Sequence, residues 1–153
     1  MHIVIAIVLA LGLIKGLAVY SAHQEPAAIG VTAAGQLQPC PPSPNAVNSE
    51  DPDPKRRVEP LPYHGTPEQT RAAFTRFVSA QPRFSLKAQT PDYLHYEASS
   101  FLFGFVDDVE FRFVDDQRLI QCRSASRVGH SDLGANRKRL DKLRTAWAEQ
   151  PLP

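Results

Sequence analysis

The stretch from Phe101 to Arg139 reads FLFGFVDDVEFRFVDDQRLIQCRSASRVGHSDLGANRKR, and its pattern decides the fold. Val109, Phe111 and Phe113 alternate with Glu110 and Arg112, the period-2 signature of a strand with one buried face. Asp115, Asp116 and Gln117 have the composition of a hairpin loop. Arg118 to Ser124 then reads as the partner strand, with Ile120 and Cys122 on one face and Leu119, Gln121 and Arg123 on the other. A strand that runs on past Ser124 places Arg123, Ala125 and Arg127 on one face and Ser124 and Ser126 on the opposite one. Ser131 and Asp132 are N-cap residues for a last helix. Its seam is Leu133, Asn136, Leu140, Leu143 and Trp147, and its flank carries Arg137, Lys138, Arg139, Lys142 and Arg144.

Working back from this stretch, Thr66-Pro67-Glu68-Gln69 combines a cap residue, a first-turn proline and a glutamine three positions on, which together start a helix. Phe74, Phe77, Val78 and Gln81 continue it at helical spacing up to Pro82. Phe84, Leu86 and Ala88 alternate with polar residues as one strand, Thr90-Pro91-Asp92 supplies a turn, and Tyr93 to Ala98 forms the next strand. The order α-β-β-β-β-α over residues 60–150 predicts an α+β domain, a small antiparallel sheet of about four strands with two helices packed on it. Phe101 to Val106 is apolar on both strand faces. Burial beneath the last helix is the ordinary outcome for such a run, and exposure toward a partner or a bilayer is the alternative.

Residues 1–20 are apolar apart from the glycines, His2 and Lys15, close to the roughly 20 residues that cross a bilayer. Lys15 sits near one end, where its stem can stay in lipid while the ammonium reaches the interface. A retained anchor fits better than a cleaved signal, because no basic start precedes the run. The expected location is the inner membrane with the domain extracytoplasmic (periplasmic), or secretion if the segment is cleaved. The proline-rich stretch from Ser21 to Pro62 holds 9 of the chain's 14 prolines, and residues 21–59 read as an extended, poorly packed tether.

Composition excludes several function classes. Seventeen lysines and arginines against 16 acids leave a net charge of +1, and the Lys55-Arg56-Arg57 triplet lies among Glu50, Asp51, Asp53 and Glu59, so no nucleic-acid partner is expected. Two cysteines, Cys40 and Cys122, lack the spacing of a zinc or redox motif, and a single bridge between them is compatible with the sequence. Asp107 and Asp108 are neighbours on a strand, so their side chains point to opposite faces and do not form an acid/base pair. Convergence of Asp107, Asp108 and Asp132 on a divalent cation is a weaker alternative to a structural role for all three. His64, His95 and His130 have no common metal-ligand spacing. No cofactor or metal is expected. Gly129 to Gly134 has the glycine spacing of a phosphate loop but lacks the lysine and hydroxyl that follow in one. Asn136, an amide on an apolar seam, must find partners, most simply in a loop backbone.

Cys40-Pro-Pro-Ser-Pro-Asn45, Phe105-Val-Asp-Asp108-Val-Glu-Phe111, Arg123-Ser-Ala-Ser-Arg127-Val-Gly129, Ser131-Asp-Leu-Gly134 and Asn136-Arg-Lys-Arg139 together resemble the bacterial and plastid "domain of unknown function 1499" family, over roughly Leu37 to Trp147. The resemblance implies a small exported or membrane-anchored domain without an established activity. Its pattern carries a second cysteine after Pro-Asn, where this chain has Ala46, so a local bridge to Cys40 is not available here.

Two functional expectations follow. In the first, the domain is non-catalytic and binds an anionic small molecule, a lipid headgroup or an envelope protein. The residues expected to bind are Arg123, Ser124, Ser126, Arg127, Asn136, Arg137 and Arg139, supported by a structural network of Asp107, Asp108 and Asp132. In the second, a hydrolase-like envelope enzyme uses Asp107 or Asp108 with Ser126 and His130.

Overall fold

The computed structural model describes residues 2–26, 28–101 and 103–151. In chain order it contains α1 (His2–His23), β1 (Ala46–Asn48), β2 (Leu61–Pro62), α2 (Pro67–Ser79), β3 (Phe84–Gln89), β4 (Tyr93–Ser99), β5 (Val106–Val114), β6 (Leu119–Ser126) and α3 (Ala135–Ala148). Met1 and Leu102, which belong to the apolar segments singled out above, lie outside the described residues.

The β5–β6 hairpin is the centre of the sheet. Its register runs from Val114 opposite Leu119 to Asp107 opposite Ser126. Residues 115–118 close it, with the Arg118 amide donating to the Asp115 carbonyl at 3.3 Å and Arg118 itself in the left-handed region at φ 54°. β4 pairs with the other edge of β5, β3 with β4, and both β1 and β2 with β6, every pairing antiparallel. The α+β class is as expected. The sheet has six strands rather than about four, and the two additional ones come from the proline-rich region.

That region is therefore not a poorly packed tether along its whole length. Leu37, Ala46, Val47, Asn48, Val58 and Leu61 are all buried, so the packed domain starts well before residue 60. The physical reason lies in the basic triplet. Proline removes amide donors but leaves carbonyls, and arginines reach them from nearby in the chain. Arg56 donates to the carbonyls of Pro41 and Pro42, and Arg57 to those of Asp51 and Pro52. Pro62 sits in a two-residue strand, where a missing donor costs little.

One face of the sheet carries the apolar core beneath α2 and α3. Thr66 and Gln69 form the expected capping box of α2. Phe74 is fully buried and meets Phe111 at 4.9 Å, Trp147 at 5.0 Å and Phe113 at 5.9 Å between ring centroids, all edge-on. Trp147 places its ring nitrogen on the Pro62 carbonyl at 2.8 Å, fixing the far end of α3 against β2.

α3 begins at Ala135, later than its capping residues suggest. Asp132 still acts as the cap, its carboxylate accepting from the amides of Gly134 (3.0 Å) and Asn136 (2.8 Å). Leu133 consequently falls outside the helical seam. It adopts φ 53° and is 87% exposed, whereas Asn136, Leu140, Leu143 and Trp147 are buried as the spacing predicts.

α1 is long and apolar enough to cross a membrane. Its C-terminal turns rest on the start of β5. Ser21 Oγ donates to the Val106 carbonyl at 3.2 Å and accepts from the Val106 amide at 3.1 Å.

Candidate functional site

Side chains along β5 alternate between two different chemistries. Odd positions, Asp107, Val109, Phe111 and Phe113, face the helices, and their cross-strand partners in β6 are Ser126, Ser124, Cys122 and Ile120. Even positions, Asp108, Glu110 and Arg112, face away from the helices. The second face is polar and almost entirely buried, with chain from between α1 and β1 over it and Gly30 and Glu50 bonded to its side chains.

Glu110 lies at the middle of that face with no exposed surface. One carboxylate oxygen accepts from the Tyr93 hydroxyl at 2.7 Å and from the Gly30 amide at 2.6 Å, and the other takes the Arg123 guanidinium. The antiparallel register puts Arg123 directly opposite Glu110, and Arg123 is 3% exposed. Next along the strand, Arg127 grips Asp108 through Nε (2.9 Å) and Nη2 (2.8 Å), a two-point contact. Arg127 Nη2 also reaches Glu97 at 2.7 Å, and Glu97 in turn meets Lys87 at 3.0 Å. His95 Nε2 lies 2.8 Å from Asp108. At the other end, Arg112 pairs with Glu50, whose second oxygen accepts from the Leu37 amide at 2.9 Å. Each cation on this face thus has a carboxylate of its own.

These contacts set the charge states. Burial works to raise the pKa of Asp108, but hydrogen bonds from Arg127 and His95 and the Arg127 charge outweigh it and hold the carboxyl below its ordinary value. The hydrogen bond to Asp108 raises Arg127 further against the opposing effect of burial. Tyr93 is pushed up by burial and then by the neighbouring Glu110 charge, so it remains a hydrogen-bond donor.

A cleft of about 420 Å³ opens between this face and the overlying chain. Gln24, Glu25, Pro26 and Ala28 form one wall, Pro39 to Pro41 a second, and Asp108, Arg123, Ser126 and Arg127 the floor. A smaller hollow of about 300 Å³ lies on the other side of residues 24–26, with Lys87, His95, Glu97 and Arg127 beneath it. Cys40 borders the larger cleft. Burial, and then the adjacent Asp51 carboxylate, push its thiol up to about 12.

The remaining candidate residues sit on the opposite, helix-facing side. Asn136 Nδ2 donates to the Asn45 carbonyl and to Ser126 Oγ, both at 2.9 Å, while its Oδ1 accepts from Ser124 Oγ and Arg139. Arg139 also holds Asp107 and the Ser124 hydroxyl. Arg137 donates to the carbonyls of Lys55 and Arg57, fastening α3 to the proline-rich segment. The expected single arginine-rich surface is therefore divided by the sheet. Arg123 and Arg127 lie on the polar face, and Arg137 and Arg139 lie with α3.

Asp107 and Asp108 diverge as adjacent strand residues must, and Asp132 is occupied by the amides of α3, so the three carboxylates do not converge. Nor are the residues of the hydrolase expectation brought together. Ser126 shares a face with Asp107, but Asp107 is held by Arg139, Asp108 points the other way, and His130 is exposed with no hydrogen bond to any of them among the described residues. Cys40 and Cys122 are both free, since Cys122 faces the helices beside Phe111 while Cys40 borders the polar cleft.

Glu110, Glu97, Tyr93, His95 and Glu50 escaped selection from the sequence. The signal existed for Glu110: counting back from the hairpin at equal steps puts it opposite Arg123. For Glu50 and Gly30 there was none, because they belong to chain that only the tertiary fold brings over the sheet.

The sequence pattern of a family described as "Protein of unknown function (DUF1499)" matches residues 36–147, well over half of the chain. The chain belongs to the DUF1499 family. The match starts just before Leu37, which agrees with the early start of the packed domain and leaves α1 outside it. No curated protein and no solved structure matches this DUF1499 chain.

Proposed function

We propose that this chain is a membrane-anchored, non-catalytic domain, held by α1 with its sheet on the extracytoplasmic side of the inner membrane, and that it binds a small anion in the cleft beside residues 24–28. The observation that supports this is the donor surplus of the two strand arginines. A guanidinium has five N–H donors. Among the described residues Arg123 gives only Nη1, to Glu110, and Arg127 leaves Nη1 outside its bonds to Asp108 and Glu97. Both residues line the same cleft. A carboxylate or phosphoryl oxygen is the acceptor that such forks suit. Because the arginines are already balanced by acids, directional hydrogen bonds rather than net positive charge select the ligand.

Thermal unfolding of the full chain in detergent, with citrate, acetate, inorganic phosphate or glycerol phosphate, tests the reading. A ligand at 100 times its dissociation constant stabilises by about 2.7 kcal/mol. One anion class is expected to raise Tm, and the rise is expected to vanish in Arg127→Met and in Ala28→Trp, which fills the cleft from the exposed wall without touching the ion pairs. Absence of any shift, or an equal shift in both variants, overturns the proposal.

A further inference from the structure

We infer that the end of the sheet beside α1 is a membrane-docking surface, with Phe101 entering the headgroup boundary and Arg83, Lys138 and Lys142 meeting anionic phospholipid. The inference rests on the anchoring part of the reading above, and not on the anion cleft.

Depth is the first argument. Ile3 to Tyr20 covers about 27 Å at 1.5 Å per residue, against a hydrocarbon core of about 30 Å. The anchor therefore has no spare length. Yet Ala18 is only 5% exposed and Ser21 is fully buried, both against the domain, and Ser21 is bonded in both directions to Val106. The residues at which α1 touches the sheet are the same ones that must lie at the bilayer boundary. Lys15, one turn earlier and exposed, sets its ammonium at that level by reaching outward. Whatever flanks Val106 then sits at headgroup depth.

The composition of that end is the second argument. The loop entering β5 carries Phe101, which is 82% exposed with Arg83 stacked over its ring at 5.1 Å. An exposed phenylalanine with a guanidinium over its ring suits the acyl–headgroup boundary, where the ring meets lipid and the cation meets phosphate. α3 starts at the same end. Its exposed Lys138 and Lys142 share a groove with Arg83 and Ser99, and Leu133, exposed in an unfavourable left-handed conformation, precedes it. Of the acids at this end, Asp107 and Asp132 are turned inward onto Arg139 and the α3 amides, and Glu25, exposed four residues past Ser21, stands on the cleft side of the sheet away from α3.

The test uses the full chain carrying Phe101→Trp, reconstituted into phosphatidylcholine–phosphatidylglycerol vesicles whose acyl chains are brominated near the headgroup. Trp147, buried in the core, supplies an unquenched baseline from the unsubstituted chain. Strong quenching of the added emission is expected, and weaker quenching in Lys138→Glu, Lys142→Glu and in pure phosphatidylcholine, with each removed charge lowering the docked-to-undocked ratio about fivefold. Leu133→Trp provides an independent second reporter at the same depth. Retention of the chain in vesicles after alkaline extraction, with neither tryptophan quenched, overturns docking while leaving the anchor intact. Loss of the chain on extraction overturns the anchor, and the docking with it.

Discussion

Replacing Arg123 with methionine tests the polar face at its most buried point. The substitution keeps the length and apolar stem of the side chain but leaves Glu110, which has no exposed surface, without the one cationic partner it has among the described residues. Tyr93 and the Gly30 amide still donate to Glu110, so the carboxylate keeps two of its three hydrogen bonds. Breaking a buried ion pair by removing one member costs about 3–5 kcal/mol, and the two surviving donors put this case near the lower end, about 3 kcal/mol. With a urea slope of about 1.5–2 kcal/mol per molar, the midpoint falls by about 1.5–2 M. Glu110→Gln, which retains shape and loses charge, is expected to cost a similar amount because it strands the guanidinium. In the double variant neither charge remains, so its cost falls well below the sum of the two singles, with a coupling of about 2 kcal/mol. Urea unfolding of the four proteins, followed by Trp147 fluorescence, measures the cycle. A loss under about 1 kcal/mol in the singles, or simple additivity in the double, refutes the account of this pair as a buried, mutually dependent unit.

The other predictions concern the opposite face, the acid limb and the cleft. Asn136→Leu takes the acceptor from the Ser124 hydroxyl, one acceptor from Arg139 and one of two donors from the Asn45 carbonyl, which keeps the Ser126 amide, and is expected to destabilise by about 2 kcal/mol in chemical denaturation, although leucine suits the apolar seam. Asp108 has a folded pKa below its unfolded value of about 3.9, so its contribution is fully present above that value and is lost as pH falls through the folded one. The stability gap between the wild type and Asp108→Asn therefore holds above about pH 5 and narrows below about pH 4, and a gap unchanged at about pH 3 contradicts this assignment. A thiol held up at about 12 has little thiolate at pH 8, so Cys40 is expected to alkylate with iodoacetamide on the order of a thousandfold more slowly than a free thiol, and faster in Asp51→Asn, as followed by mass spectrometry.

The parts of this molecule legible in the sequence are those governed by local periodicity. Alternation along residues 109–113 and 118–127 assigned both faces of β5 and β6 correctly, and the capping box located the start of α2 to the residue. The division of the arginines illustrates what periodicity does not carry. Arg123 and Arg127 were assigned a common strand face, and Arg137 and Arg139 a common helix, but whether that helix covers the arginine face or its reverse depends on which side is apolar across all strands. Ile120 and Cys122 pointed to the answer, because the core side of β6 had to be theirs, and the helix had to follow them. The proline-rich segment failed for a different reason. Proline count measures missing donors, whereas packing depends on whether the remaining carbonyls find partners, and here Arg56 and Arg57 supply them.

The polar face is more expensive than its stability requires. Four carboxylates, Glu50, Glu97, Asp108 and Glu110, face Lys87, Arg112, Arg123 and Arg127 across a layer that shaped apolar residues would fill with less desolvation. The helix-facing side of the same strands, built from Val109, Phe111 and Phe113, demonstrates that this chain builds an apolar layer where stability alone is at issue. The distinction can be measured in one variant. Glu110→Leu with Arg123→Met replaces the central pair by apolar groups of similar size, and is expected to unfold near the wild-type midpoint while no longer responding to the anion that stabilises the wild type. Retention of both the midpoint and the response would mean that the pair contributes to neither, and that the ligand is held by Arg127 alone.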